Sequence, residues 1–300
     1  LNQTPKRAVV FAYHDVGVAC LQALIDAGMQ IDLVITHADD PNETIWFSSV
    51  QKLCERRGLP CRIVQQSALL NLVPEIRVIA PDYLFSFYYR FMLPTELLET
   101  ATIAALNMHG SLLPKYRGRA PVNWAVVNGE TETGATLHVM EAKPDAGDIV
   151  EQVAVSIEIH ETAKEVFDKV SQAAKQVMEQ VLPQLMQGNL PRRPNPLTEG
   201  SYFGGRKPED GRIDWKKSAM SIYNLIRAVA PPYPGAFTEL SGEKVILTKS
   251  SLPLDPGVDL STSQAAILKK SGLGMHLVDN RYFGLCGDGK ALEVFLAQEH

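Results

Sequence analysis

Cysteine is scarce, with Cys20, Cys54, Cys61 and Cys286 the only four in 300 residues. None forms a CxxC pair or stands at metal-ligand spacing from a histidine. Neither a disulfide framework nor a metal site is therefore expected. Cys20 and Cys54 sit in apolar, helix-like stretches, where a thiol packs as a small hydrophobe. Such usage fits a reducing cytoplasm. No apolar run approaches the ~20 residues that span a bilayer, and the N-terminus shows no signal-peptide core. No membrane association is expected. Charge is also limited: 21% of residues are charged and the net is -5. An acidic balance argues against a nucleic-acid partner. The chain opens on Leu1 and not Met, which predicts a processed or altered start. The sequons Asn2-Gln3-Thr4 and Asn42-Glu43-Thr44 carry no weight in a cytoplasmic chain.

What is present is the 45% hydrophobic content of a globular protein, in a length that suits one large or two ordinary domains. Buried strands are read at 7–13, 31–37, 61–64 and 82–89, with helices at 16–27 and 48–57 ending on Gly28 and Gly58. This alternation predicts βαβ units on a parallel sheet. Further strands are read at 104–110, 134–140 and 149–159, with a helix at 120–128. A long amphipathic helix is read over 161–188, shortened or kinked by Pro183. Residues 1–188 are thus expected to form a Rossmann-like α/β domain. The segment 189–200, with Pro191, Pro194, Pro196 and Gly200, reads as a linker. Residues 201–300 read as a small β-barrel with one helix at 219–230.

Ligands of open α/β sheets sit beyond the carboxyl ends of the strands. The stretch NMHGSLLPKYRGRAP, 107–121, lies at such an end. Asn107 and His109 are two apart in a strand, so they point the same way. The loop that follows carries Lys115, Arg117 and Arg119, which favours an anionic ligand. Asp145 lies in the turn PDAG just past 134–140 and can approach His109 if the two strands end side by side. An amide donor stabilises a developing oxyanion by roughly 3–4 kcal/mol. A histidine moves protons near neutral pH, and a nearby carboxylate, direct or through water, favours its charged form. A lone histidine at a strand end is more often structural, and a lone Asp in such a turn is usually a turn residue. Only the set points to acyl transfer.

The stretch 107–121 resembles the signature of the 10-formyltetrahydrofolate-dependent formyltransferases, and DAGDIV resembles their second motif. The resemblance implies Asn107, His109 and Asp145 as catalytic residues. It also implies a Rossmann-like domain followed by a small OB-like one. VVFAYHDVG, FSFYYR and the run 109–138 are most similar to one branch. That branch is the formyltransferase half of bifunctional polymyxin-resistance proteins, which formylates UDP-4-amino-4-deoxy-L-arabinose for lipid A modification. The resemblance implies a formyl-folate site at Phe91, Met92, Leu93, Arg119 and the turn Glu141, Ala142, Lys143, Pro144 and Asp145. Phe91 and Met92 depart from the branch pattern, which leaves backbone contacts there as the expectation. Arg206, Trp215 and Arg227 resemble branch positions too; Arg206 and Arg227 are candidate contacts to the UDP-sugar. The chain stops at His300 and holds no GxGxxG, so the branch's dehydrogenase half is not expected within it; the expectation is an isolated half, associated covalently or not with that dehydrogenase, or a stand-alone enzyme.

Other signals are weaker. GLCGDGKA, 284–291, nearly matches a P-loop but lacks the final hydroxyl and reads as a hairpin turn. Asp15 reads as a helix cap, with a place at the site as the other reading for it and His14. His138 reads as a core or sheet-facing residue, and His37, His160 and His276 show no metal spacing. Competing functions are methionyl-tRNA formylation, hydrolysis of the formyl-folate, and a non-catalytic folate or nucleotide sensor. Residues 201–300 hold 12 Lys plus Arg against 11 Asp plus Glu, a net of +1, which is poor footing for tRNA. A sensor has no need of an acid-base residue.

Overall fold

Strand and helix alternate through the first half of the chain, and the computed structural model describes residues 5–297. Leu1, the sequon Asn2-Gln3-Thr4 and His300 lie outside the described residues. β1 (Arg7–Ala12) leads into α1 (His14–Asp26), β2 (Gln30–Thr36), α2 (Val50–Arg57) and β3 (Cys61–Ile63). The short helices α3 (Val73–Ile79) and α4 (Thr95–Leu98) flank β4 (Tyr83–Phe87). Then come β5 (Ala104–His109), β6 (Arg117–Gly118), α5 (Pro121–Val127), β7 (Glu132–Val139) and β8 (Ile149–Ser156). The long helix α6 (Ala163–Leu185) ends two residues past Pro183, and β9 (Tyr202–Phe203) follows.

Seven of these strands form one sheet in the order β3-β2-β1-β4-β5-β7-β8. The first five run parallel, and β7 runs antiparallel to β5. A parallel sheet covered on both faces requires apolar residues at every position. β1 meets this from Ala8 to Ala12; β4 is buried over its whole length and apolar except at Ser86. Tyr83, Phe85 and Phe87 are among the largest fully buried side chains. Each such side chain contributes roughly 2–3 kcal/mol. α2 is closed at both ends as its sequence dictates. Ser49 Oγ accepts the Lys52 N–H, and Gly58 takes the left-handed conformation at φ 65°.

The described chain divides into two compact units that interleave in sequence. One holds the chain up to Pro121, Thr133–Val155 and Asp168–Phe203; the other holds Val122–Glu132, Ser156–Phe167 and the chain from Gly204 onward. The second contains α7 (Ala219–Val229), β10 (Ala236–Leu240), β11 (Glu243–Ser250), α8 (Thr262–Ser271), β12 (Gly274–Val278), β13 (Arg281–Leu285) and β14 (Ala291–Leu296). Its strands make a curled antiparallel half-barrel in the order β10-β11-β14-β13-β12. Residues 286–290 are the β13–β14 turn, as their sequence predicts.

Two local readings need correction. The C-terminal segment has a second helix, α8, opened by a capping box between Ser261 and Gln264 and ended at Gly272. Its apolar face is narrow, with Leu268 as its buried residue, so periodicity did not reveal it. Asp15 does not cap α1, which begins at His14; its carboxylate accepts the Ser48 N–H at 2.9 Å. The stretch 189–200 is pinned to the first unit. Arg193 bridges Ile149, and the Asn195 amide donates to the carbonyls of Asp145 and Gly147.

Candidate active site

β5 supplies Asn107 and His109, and their common side follows from strand alternation. The antiparallel neighbour β7 places His138 directly opposite Asn107 and Thr136 opposite His109. The strands therefore do not end side by side. β7 passes Asn107 and turns into β8, with the Val139 N–H donating to Asp148 O. Asp145 returns from this turn to the sheet. It has φ 52°, a left-handed conformation that Asp tolerates better than most residues. The turn is tight at Gly147, where a Cβ would meet Val139 O at 2.0 Å.

Four side chains meet here. Asp145 Oδ1 lies 3.5 Å from His109 Nδ1 and 3.3 Å from His138 Nε2. Its other oxygen, Oδ2, accepts the Gly118 N–H at 2.9 Å. Asn107 Nδ2 lies 3.1 Å from the same His138 Nε2. His109 Nε2 is 2.7 Å from the Tyr116 carbonyl. A carbonyl only accepts, so His109 Nε2 carries a proton and donates it. Nδ1 is then the nitrogen free to gain or lose a proton. At 3.5 Å from the carboxylate it is held by charge and not by a direct hydrogen bond.

Burial alone would raise the Asp145 pKa. The positive charge available on His109, the hydrogen bond and charge that His138 supplies when it too is protonated, and the Gly118 N–H outweigh it. Together they hold the carboxyl well below the usual carboxylate range. Asp145 is thus an anion, buried among two imidazoles and a backbone donor.

The loop between β5 and α5 is fastened from several sides. Ser111 Oγ donates to Lys115 O, and the Tyr116 N–H donates to Ser201 Oγ. The Arg117 and Arg119 N–H groups donate to Ser201 and Phe203 carbonyls, and β6 pairs with β9 in parallel. The Tyr116 ring stacks on Phe203 at 5.1 Å. Gly118 has φ 99°, and a Cβ there would meet Phe203 O at 2.1 Å. Only glycine fits this position, and its N–H is the one that holds Asp145. Lys115 and Arg119 are exposed and Arg117 is half-buried.

The remaining sequence candidates fall in two places. Leu93 is buried in an apolar cluster with Leu97 and Ala105, and Phe91, Leu98, Ala101 and Met140 pack half-buried against it. Met92 is exposed, as are Glu141, Ala142 and Lys143, while Pro144 is half-buried. Arg206 and Arg227 belong to the second unit. Arg206 lies over the Trp124 ring at 4.6 Å, and burial lowers its pKa. Arg227 is 7% exposed, with its donors directed to Asn224 Oδ1 and to the carbonyls of Glu158 and Glu161.

Sequence reasoning missed His138 and the backbone of Tyr116 and Gly118. A polar residue inside the apolar strand TLHVM was a signal for His138, but its meaning depends on the β5–β7 register.

Comparison with known proteins agrees with this architecture. The formyl transferase family profile matches residues 6–182, and that of the formyl transferase C-terminal domain matches residues 206–294. An N-formyltransferase from Helicobacter canadensis, solved with folinic acid and dTDP-3-aminofucose, superposes with TM-score 0.73 at 18% identity, covering 98% of this chain and 100% of that one. The sugar 3N-formyltransferase WlaRD, solved with dTDP and 5-N-formyl-THF, gives 0.71 at 18% identity over 99% and 100%. A 4-N formyltransferase from Francisella tularensis gives 0.65 at 21% identity over 80% and 96%. With both profiles matched over most of its length, the chain belongs to the formyl transferase family.

Proposed function

We propose that the chain transfers a formyl group from 10-formyltetrahydrofolate to the amine of a UDP-amino sugar, UDP-4-amino-4-deoxy-L-arabinose, in lipid A modification and polymyxin resistance. The observation that carries the chemistry is the pinned His109. Its Nε2–H is held by the Tyr116 carbonyl while Nδ1 faces the anionic Asp145 at 3.5 Å. In this reading Nδ1 takes the proton from the attacking amine and returns it to the leaving nitrogen. Asp145 stabilises the imidazolium between those two events. Asn107 donates to the formyl oxygen as charge builds there. The folate co-substrate supplies the activated formyl group. Leu93, Phe91, Met92 and the turn 141–145 are assigned to its ring, and Arg119 to its anionic tail.

The sugar-nucleotide acceptor has separate support. Of the three solved formyltransferases of this fold, one is a sugar 3N-formyltransferase solved with dTDP and another was solved with dTDP-3-aminofucose. The branch resemblance of 109–138 narrows the sugar. The near-neutral segment 201–300 is a poor surface for tRNA phosphates. Arg206 and Arg227 are candidate contacts to the diphosphate, Arg206 being the less internally committed. A dehydrogenase half, fused or separate, is the partner this reading expects.

The test is release of tetrahydrofolate with the aminoarabinose nucleotide, methionyl-tRNA or water alone as acceptor. Turnover confined to the sugar nucleotide is expected. Turnover with methionyl-tRNA or water, and none with the sugar, would discard the assignment.

A further inference from the structure

We propose that His138 is a positioning residue that fixes the orientation of the Asn107 amide by accepting one of its two N–H bonds. This rests on the formyl-transfer reading and adds a residue to it. His138 is 2% exposed in the middle of β7, directly opposite Asn107 in the antiparallel register. Its Nδ1 is 2.9 Å from Val139 O. A carbonyl only accepts, so Nδ1 carries the proton and donates it. In the neutral ring Nε2 is then a lone pair. Asn107 Nδ2 lies 3.1 Å from that lone pair, so one N–H of the amide is held by His138. The geometry of a planar amide aims the second N–H about 120° away from the first. That second N–H is the one available to the formyl oxygen.

The third neighbour sharpens the requirement. Asp145 Oδ1 lies 3.3 Å from the same Nε2. If the ring gains a second proton, Nε2–H donates to Asp145 and no longer accepts from Asn107. The amide then has no acceptor on this side, and its oxygen is the atom favoured next to Nε2–H. The donor required by the chemistry would point the wrong way. The same proton would also compensate the carboxylate that His109 needs. The charged group facing this nitrogen is Asp145 from the β7–β8 turn, and beyond it lies the titratable His109 from β5. His138 therefore works as the neutral Nδ1–H tautomer. It touches neither reacting group, and acts only through Asn107 and Asp145.

Two experiments test this on the full chain. The first is kinetic. His138→Phe keeps a buried ring of similar size but removes the acceptor. It should lower kcat about 10- to 100-fold, short of the loss of a whole oxyanion donor, with KM for 10-formyltetrahydrofolate nearly unchanged. His138→Gln, whose side-chain oxygen can accept, should recover most of the rate. In an Asn107→Ala background His138→Phe should cost less than about threefold, because its route of action is already gone. An undiminished loss in that background, or wild-type kcat in His138→Phe, overturns the proposal. The second is spectroscopic and needs neither substrate nor variant folding. Long-range proton–nitrogen NMR of the wild-type ring at neutral pH should show Nδ1 protonated and Nε2 bare. A protonated Nε2 overturns the inference. Absence of any formyl transfer by the wild type would instead overturn the functional reading, a result distinct from both.

Discussion

Replacing Asp145 by Asn removes one charge and keeps the turn that presents it. Asn tolerates the left-handed backbone that Asp145 adopts at φ 52°. Its side-chain oxygen can still accept the Gly118 N–H that now meets Asp145 Oδ2 at 2.9 Å. What is lost is the attraction between the carboxylate and an imidazolium at His109, across 3.5 Å. With an effective dielectric of about 20, that attraction is roughly 5 kcal/mol. At 1.36 kcal/mol per decade, this is a ceiling of about three and a half decades in kcat. The assay is tetrahydrofolate release at saturating acceptor, paired with folate affinity by calorimetry. Asp145→Asn should lose about 100- to 1000-fold in kcat with binding intact. A variant within threefold of wild type would refute a charge role for Asp145, and with it the reading of Nδ1 as the working nitrogen.

Other expectations follow from the same geometry. Gly118→Ala should destabilise the chain by about 2–3 kcal/mol in denaturant melts, because a Cβ would strike Phe203 O at φ 99°. The Asp145 carboxyl has a folded pKa below its unfolded value of about 4. Its contribution to stability is therefore complete above pH of about 4 and lost as the pH falls through the lower folded value. Wild type and Asp145→Asn should converge in stability below that pH, and a constant gap down to strong acid would contradict this. Phe85→Ala, in the fully buried β4, should cost about 3–5 kcal/mol by thermal or urea unfolding.

Much of this architecture was legible in the sequence. The apolar run of β1 and the aromatic-rich run of β4 require cover on both faces, and Gly58 marks the end of α2 in the sequence as in the fold. Asn107 and His109 were legible as a pair because period two is local. Asp145 was legible only as a candidate, since its approach depends on how β7 and β8 turn back. His138 was invisible as a site residue because its meaning lies in register. Sliding β7 by one residue would turn it to the other face of the sheet. The backbone donors and acceptors of Gly118 and Tyr116 have no side-chain signature. α8 was missed for a different reason: its capping residues are clear, but it buries little.

The central claim is that His109 moves the proton during formyl transfer to an amine. The most direct measurement is amine-dependent release of tetrahydrofolate by wild type and His109→Ala, with folate affinity measured on both. The account predicts acceptor-dependent turnover in wild type, a loss of orders of magnitude in the variant, and equal folate binding. Undiminished turnover in His109→Ala would contradict it.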